Sequence, residues 1–182
     1  MSMFGWIRAR ADRQRQAKLL YGAVVAQART PSFYRDYGVP DTLQGRYEMI
    51  VLVLFQVLER LREAGSAHEE LSRVVLESLF TDVDDNMREI GIGDLTVPKK
   101  VKRAAAGFYE RVVAYRAALA GHDEAALAAH MQQFIDAGAE VGSDSRKRLA
   151  RFAMAQRRAL AATDIRDVIE GRGFIDPGQI PA

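Results

Sequence analysis

The sequence contains no cysteine, which excludes disulfides, thiolate nucleophiles and thiolate metal sites at once. Histidine is scarce too. His68, His122 and His130 are never paired at helical ligand spacing, and no Glu-x-x-His occurs for a di-iron bundle. Long apolar runs are missing: the longest, Met49 to Phe55, extends past Gln56 only to Leu58, well short of the ~18 residues of a membrane span. It reads as a buried core helix. Gly91-x-Gly93 lacks the remainder of either phosphate fingerprint, and Ser66, Ser72 and Ser78 stand in no nucleophile motif. Asp82, Asp84 and Asn86 occupy the first ligand positions of a calcium loop, which then fails at Met87 and Gly93. Asp85 and Glu89, four apart, share a helical face, an arrangement more often a solvated acidic surface than a catalytic pair. The expectation is a non-enzyme without metal or cofactor.

What is present suits one soluble domain. The 182 residues are 48% hydrophobic and 27% charged, ordinary values for a globular chain able to bury a core. The net charge of +2 conceals segregation: residues 1–40 carry +5, residues 41–95 carry −7, residues 96–120 carry +5 and the remainder −1. Such striping argues against a general nucleic-acid binder and for separate acidic and basic faces.

Periodicity predicts an all-α fold, a single helical domain of six to seven helices organised around a central hairpin. Leu76, Phe80, Val83, Met87 and Ile90 form one apolar stripe, and Val101, Ala105, Phe108, Val112, Tyr115 and Leu119 another. Between them Gly91 suits a left-handed C-cap, Thr96 an N-cap, and Pro98 the first turn of the second helix. Asp41 or Thr42 should cap a central helix over about 43–63 whose middle is apolar on every side, and Thr163 a short last helix. Segment 31–41 reads as an ordered loop whose Phe33, Tyr34 and Tyr37 plug the core. The expected organisation is a basic amphipathic segment over 1–19, a helical domain over 20–170 and an irregular, flexible tail over 171–182.

Two charged regions are candidate contact surfaces. Asp82, Asp84 and Asp85 lie near a helix C-terminus and Lys99, Lys100, Lys102 and Arg103 near a helix N-terminus, where the macrodipole disfavours each by ~0.3–1 kcal/mol. Mutual neutralisation across the hairpin, with Arg88 reaching back to Asp84, is one explanation; a charged partner is the other. The partner-binding candidates are Asp82, Asp84, Arg88, Glu89, Lys99, Lys100, Lys102 and the off-stripe Tyr109. At the N-terminus, Phe4, Trp6, Ile7 and Arg8 begin an apolar tip on an arginine-rich stem. It suits contact with an anionic membrane surface, unless Trp6 folds onto the core. Arginines this early do not fit a secretory signal.

The residues around the hairpin resemble the ubiquinol-cytochrome c chaperone family, assembly factors of the bc1 complex. The similarity runs through Tyr21, Gln27-Ala28-Arg29, Phe33-Tyr34, Gly38-Val39-Pro40-Asp41-Thr42 and Gly45-Arg46. It resumes at Phe80, Asp82, Asp84, Arg88-Glu89, Gly91, Gly93-Asp94-Leu95, Val97-Pro98-Lys99-Lys100, Lys102, Phe108-Tyr109, Arg111 and Tyr115. The segment HMQQFID after Gly121 departs from the Arg-Asn pair of many relatives, and the arginine-rich N-terminus has no match. The resemblance implies an all-α chaperone without catalysis that binds newly made cytochrome b during assembly. It further implies a bacterial form in the cytoplasm, peripheral at the inner face of the membrane. The alternative is a ribosome- or RNA-associated protein using Lys99 to Arg103 and the basic helix containing Arg146 to Arg158.

Overall fold

The computed structural model describes residues 3–89, 91, 96–136 and 142–180. Among them are eight α-helices and no strand: α1 (Met3–Ala28), α2 (Pro31–Arg35), α3 (Leu43–Glu63), α4 (Glu69–Glu89), α5 (Val97–Ala120), α6 (Glu124–Ile135), α7 (Ser143–Ala162) and α8 (Ile165–Ile169). Ile90, Gly93, Asp94 and Leu95, which belong to the stripe and motif above, lie outside the described residues, as does the side chain of Phe4.

The uniformly apolar middle of α3 makes it the axis. Met49, Val51, Leu52, Val53, Leu54, Phe55 and Val57 are all buried, on every side of the helix, and α1, α4, α5, α6, α7 and α8 pack around it. Thr42 caps α3 by accepting from the Gly45 amide at 3.1 Å. α4 and α5 form the expected antiparallel hairpin, with Phe80 edge-on to Phe108 at 6.3 Å. α1 runs alongside α4 in the same direction: Arg13 lies 3.9 Å from Glu70, and Tyr21 donates to Asp82 at 2.8 Å.

Three local expectations change. The loop after α1 contains the short α2, started by Pro31, although its aromatics do plug the core: Phe33 and Tyr37 are buried and meet Phe152 edge-on. Thr96 does not cap α5, because its φ of −96° and ψ of −28° are already helical and its hydroxyl makes no cap bond. Thr163 ends α7 instead of starting α8; its hydroxyl donates to the Ala159 carbonyl, and Asp164 takes the capping role by accepting from the Arg166 amide.

Beyond α8 the chain folds back as an irregular strap over the core. Gln156 donates to the Gly173 carbonyl and accepts from the Ile175 amide, Gln27 donates to the Ile175 carbonyl, and Tyr37 to that of Pro177. Phe174, Ile175 and Ile180 pack against buried residues. No helix among the described residues is long and apolar enough to cross a membrane.

Buried charges are paired between helices. Glu48 on α3 receives two bonds from Arg111 on α5, at 2.6 and 2.7 Å, and one from Gln44. One turn from the end of α3, Glu59 receives two bonds from Arg116, at 3.0 and 2.6 Å, and two from Arg62. Burial alone would raise the Glu59 carboxyl, but these guanidinium bonds outweigh it and hold the group below its ordinary value. A depressed carboxylate contributes stability above its unfolded pKa of ~4.3 and loses it as pH falls through the lower folded value. The urea midpoint of the wild type is therefore expected to fall more between pH ~6 and ~3 than that of Glu59→Gln. Equal falls would remove Glu59 from the acid response.

Candidate functional site

The two sides of the hairpin differ in how their charges are used. On α4, Asp82 is half-buried and holds α1 through Tyr21, whose hydroxyl is pushed well above its ordinary range by burial and then by this bond. Asp84 accepts from Arg88 at 2.6 Å along the same helix, while Asp85 and Glu89 stand exposed. On α5, Lys99, Lys100, Lys102 and Arg103 are exposed, and among the described residues no carboxylate lies within salt-bridge distance of them. Neutralisation across the hairpin is thus not made by direct ion pairs among the described residues. Four cations remain at a helix N-terminus that already carries positive dipole charge.

An apolar stripe continues from those lysines along the solvent side of α5. Lys99, Lys102, Ala106, Tyr109, Val113, Ala117 and Ala120 follow steps of three and four, so they lie along one line of the helix, and all are exposed. Tyr109 is 57% and Val113 67% exposed, high values for large apolar side chains within an ordered helix. Tyr109 also leans edge-on against Phe108 at 5.6 Å, which links the exposed ring to the Phe108–Phe80 contact beneath. On the neighbouring helix an open groove runs past Glu77, Phe80, Thr81 and Asp84. The outer side of the hairpin therefore offers an apolar strip, cationic at the hairpin turn and flanked by acids.

Val113 is absent from the sequence-derived candidates because it adjoins Val112 of the buried stripe and carries no charge to set it apart. The signal was present: Tyr109 and Val113 are four apart, between alanines at heptad spacing. The structure thus gathers Lys99, Lys102 and Tyr109 on one line with Val113. Asp84, Arg88 and Glu89 lie across the hairpin, whereas Asp82 faces α1.

The second recess, between the ends of α3, α5 and α7, is lined by Phe55, Glu59, Arg62, Glu63, Arg116 and Arg157. Its arginines are engaged with Glu59 and Glu63 at the carboxyl ends of helices, where cations are favoured. Among the described residues no three carboxylate or histidine side chains converge as metal ligands.

The basic α7 is also largely committed to the fold. Arg146 is buried against Asp136 and the carbonyls of Tyr37 and Gly38. Arg148 lies 4.5 Å over the Tyr37 ring, and Arg157 pairs with Glu63. Lys147, Arg151 and Arg158 stay exposed, too few to form the continuous cationic face that the RNA reading needs.

Comparison with known proteins places the same region in context. Residues 35–174 match the family described as ubiquinol-cytochrome C chaperone. The crystal structure of the Cbp3 homolog from Brucella abortus superposes with a TM-score of 0.86 at 33% identity, covering 99% of this chain and 100% of that one. The ubiquinol-cytochrome-c reductase complex assembly factor 1 of Xenopus laevis is 23% identical over 110 residues, 60% of this chain and 55% of that protein. Its counterpart in Mus musculus is 20% identical over 117 residues, 64% of this chain and 40% of that protein. The matched region thus spans about half the length of these two relatives.

Proposed function

Since this chain belongs to the ubiquinol-cytochrome c chaperone family, we propose that it is an assembly chaperone that binds newly made cytochrome b and supports biogenesis of the bc1 complex. It works without catalysis in the cytoplasm, peripheral at the inner face of the membrane. The observation that supports this client surface is the exposed α5 stripe, which runs from lysines with no carboxylate in salt-bridge distance among the described residues onto Tyr109 and Val113.

A membrane protein awaiting assembly presents apolar helices and charged loops. Small residues at Ala106, Ala117 and Ala120 let a client helix approach the α5 backbone closely, with Tyr109 and Val113 as the larger contacts. Cytoplasmic loops are rich in Lys and Arg, and Asp84, Asp85 and Glu89 on α4 supply the complementary charge. Acidic client segments meet Lys99, Lys100 and Lys102 at the other side of the turn.

The test is affinity purification from gently solubilised membranes, using the wild type beside Lys99→Glu/Lys100→Glu. Cytochrome b should be recovered with the wild type and strongly reduced with the variant, whose helical circular dichroism should be unchanged. Recovery with both moves the client away from the hairpin turn. Ribosomal components in place of cytochrome b would favour the RNA-associated reading.

A further inference from the structure

We propose that the free end of α1 is a docking tip for an anionic lipid surface, separate from the client strip and independent of the client's identity. Residues 5–12 are all exposed, and the first buried residue of α1 is Ala17, so about three turns of helix stand clear of the core. Trp6 is 54% and Ile7 50% exposed, which excludes the alternative in which the indole folds onto the core. Two large apolar side chains near the end of this helix stay exposed, with no ring contact to the core among the described residues.

The surrounding charge fits lipid headgroups. Arg8, Arg10, Arg13, Arg15 and Lys18 are opposed on this segment by Asp12 alone, which pairs with Arg15 at 2.9 Å; Arg13 leans towards Glu70. Arg10 lies over the Trp6 ring at 5.6 Å, so the indole and a cation occupy the same level, as the headgroup region requires. The cations surround the stem instead of segregating to one side. That distribution favours end-on contact, with Trp6 and Ile7 entering the interface and the stem's cations in the headgroup layer.

The orientation of the rest of the molecule follows. Because α1 and α4 run in the same direction, the tip stands near the start of α4, while Lys99 to Lys102 lie beyond its end. A 21-residue helix separates them by about 30 Å. That exceeds the ~8 Å Debye length at physiological ionic strength several times over. End-on docking therefore leaves the hairpin lysines to a protein partner instead of to lipid phosphate.

Trp6 is the sole tryptophan, so the fluorescence of the intact chain reports directly on the tip. The full chain is titrated with phosphatidylcholine vesicles with and without phosphatidylglycerol. The expected result is a blue shift and co-sedimentation that require the anionic lipid and weaken with added salt. Each near-surface cation strengthens partitioning about fivefold, so Arg8→Ala/Arg10→Ala should weaken it roughly thirtyfold. Trp6→Ala, followed by co-sedimentation, should also lose binding.

Equal partitioning into neutral vesicles would overturn the proposal, as would co-sedimentation with unshifted emission or binding that survives both variants. Binding that depends on lysines 99–102 would place lipid at the opposite end and overturn it too. A lipid-free dimer abolished by Trp6→Ala would assign the tip to self-association. None of these outcomes depends on recovery of cytochrome b, so docking and client binding stand or fall separately.

Discussion

Asp136→Ala should cost about 3–5 kcal/mol of unfolding free energy, a large part of the ~5–15 kcal/mol by which a domain is held. Asp136 follows the last turn of α6, and Arg146 occupies the first turn of α7, with side-chain exposures of 3% and 1%. The Arg146 Nε donates to both carboxylate oxygens, at 2.8 and 3.0 Å, while its terminal nitrogens reach the Tyr37 and Gly38 carbonyls. Removing the carboxylate leaves a guanidinium that cannot lose its proton, buried among groups that only partly satisfy it. Arg146→Met on top of Asp136→Ala should restore part of the loss, because the buried charge disappears. The restoration is incomplete, since two carbonyls lose their donor. Urea unfolding of the wild type, the single variant and the double variant measures this directly. A loss below about 1 kcal/mol, the scale of an exposed ion pair, would mean that solvent reaches the pair and that it does not fasten α7 to the 37–38 turn.

The second large effect concerns the α5 strip proposed to hold the client. Val113→Asp should reduce cytochrome b recovery at least tenfold while leaving the thermal midpoint of the free protein nearly unchanged. The side chain is 67% exposed, so the unbound chain gains little from it, whereas full burial under a client helix would contribute about 1.5–3 kcal/mol. A carboxylate there must be desolvated against an apolar client, which adds to the loss. Salt separates this change from the lysine variant. Defects in Lys99→Glu/Lys100→Glu arise from screened charges and should shrink relative to wild type as salt rises, whereas the Val113 defect should persist. Unchanged recovery with Val113→Asp would move the client off α5.

Much of the architecture could be read from the sequence because α3, α4, α5 and α7 each carry strong helical periodicity or continuous apolarity, and Gly65, Gly91 and Gly121 mark breaks between them. What escaped depended on long-range partners. Arg146 looks like one more cation on a basic helix; only the approach of Asp136 and the 37–38 carbonyls makes it a core residue. Thr163 and Asp164 are both good caps locally, and the choice between them rests on the turn that joins α7 to α8. The candidate strip was half legible. Tyr109 stands out by leaving the buried stripe, but Val113 acquires meaning only once the described residues leave that side of α5 exposed.

The strap from Gly171 to Ile180 also governs when the fold can close. The side chain of Gln27, near the end of α1, receives its partner from the carbonyl of Ile175, 148 residues later. Tyr37 waits 140 residues for Pro177. At ~5–20 residues per second, synthesis separates these partners by on the order of ten seconds. During that interval α1 can form and pack on α3 and α4, and the hairpin can pair locally, but the seam that Gln27 and Tyr37 make with the strap stays open. Closure of that seam waits for the strap, and removing residues 173–182 should leave α1 held by α3 and α4 while freeing the side chains of Gln27 and Tyr37 from their partners.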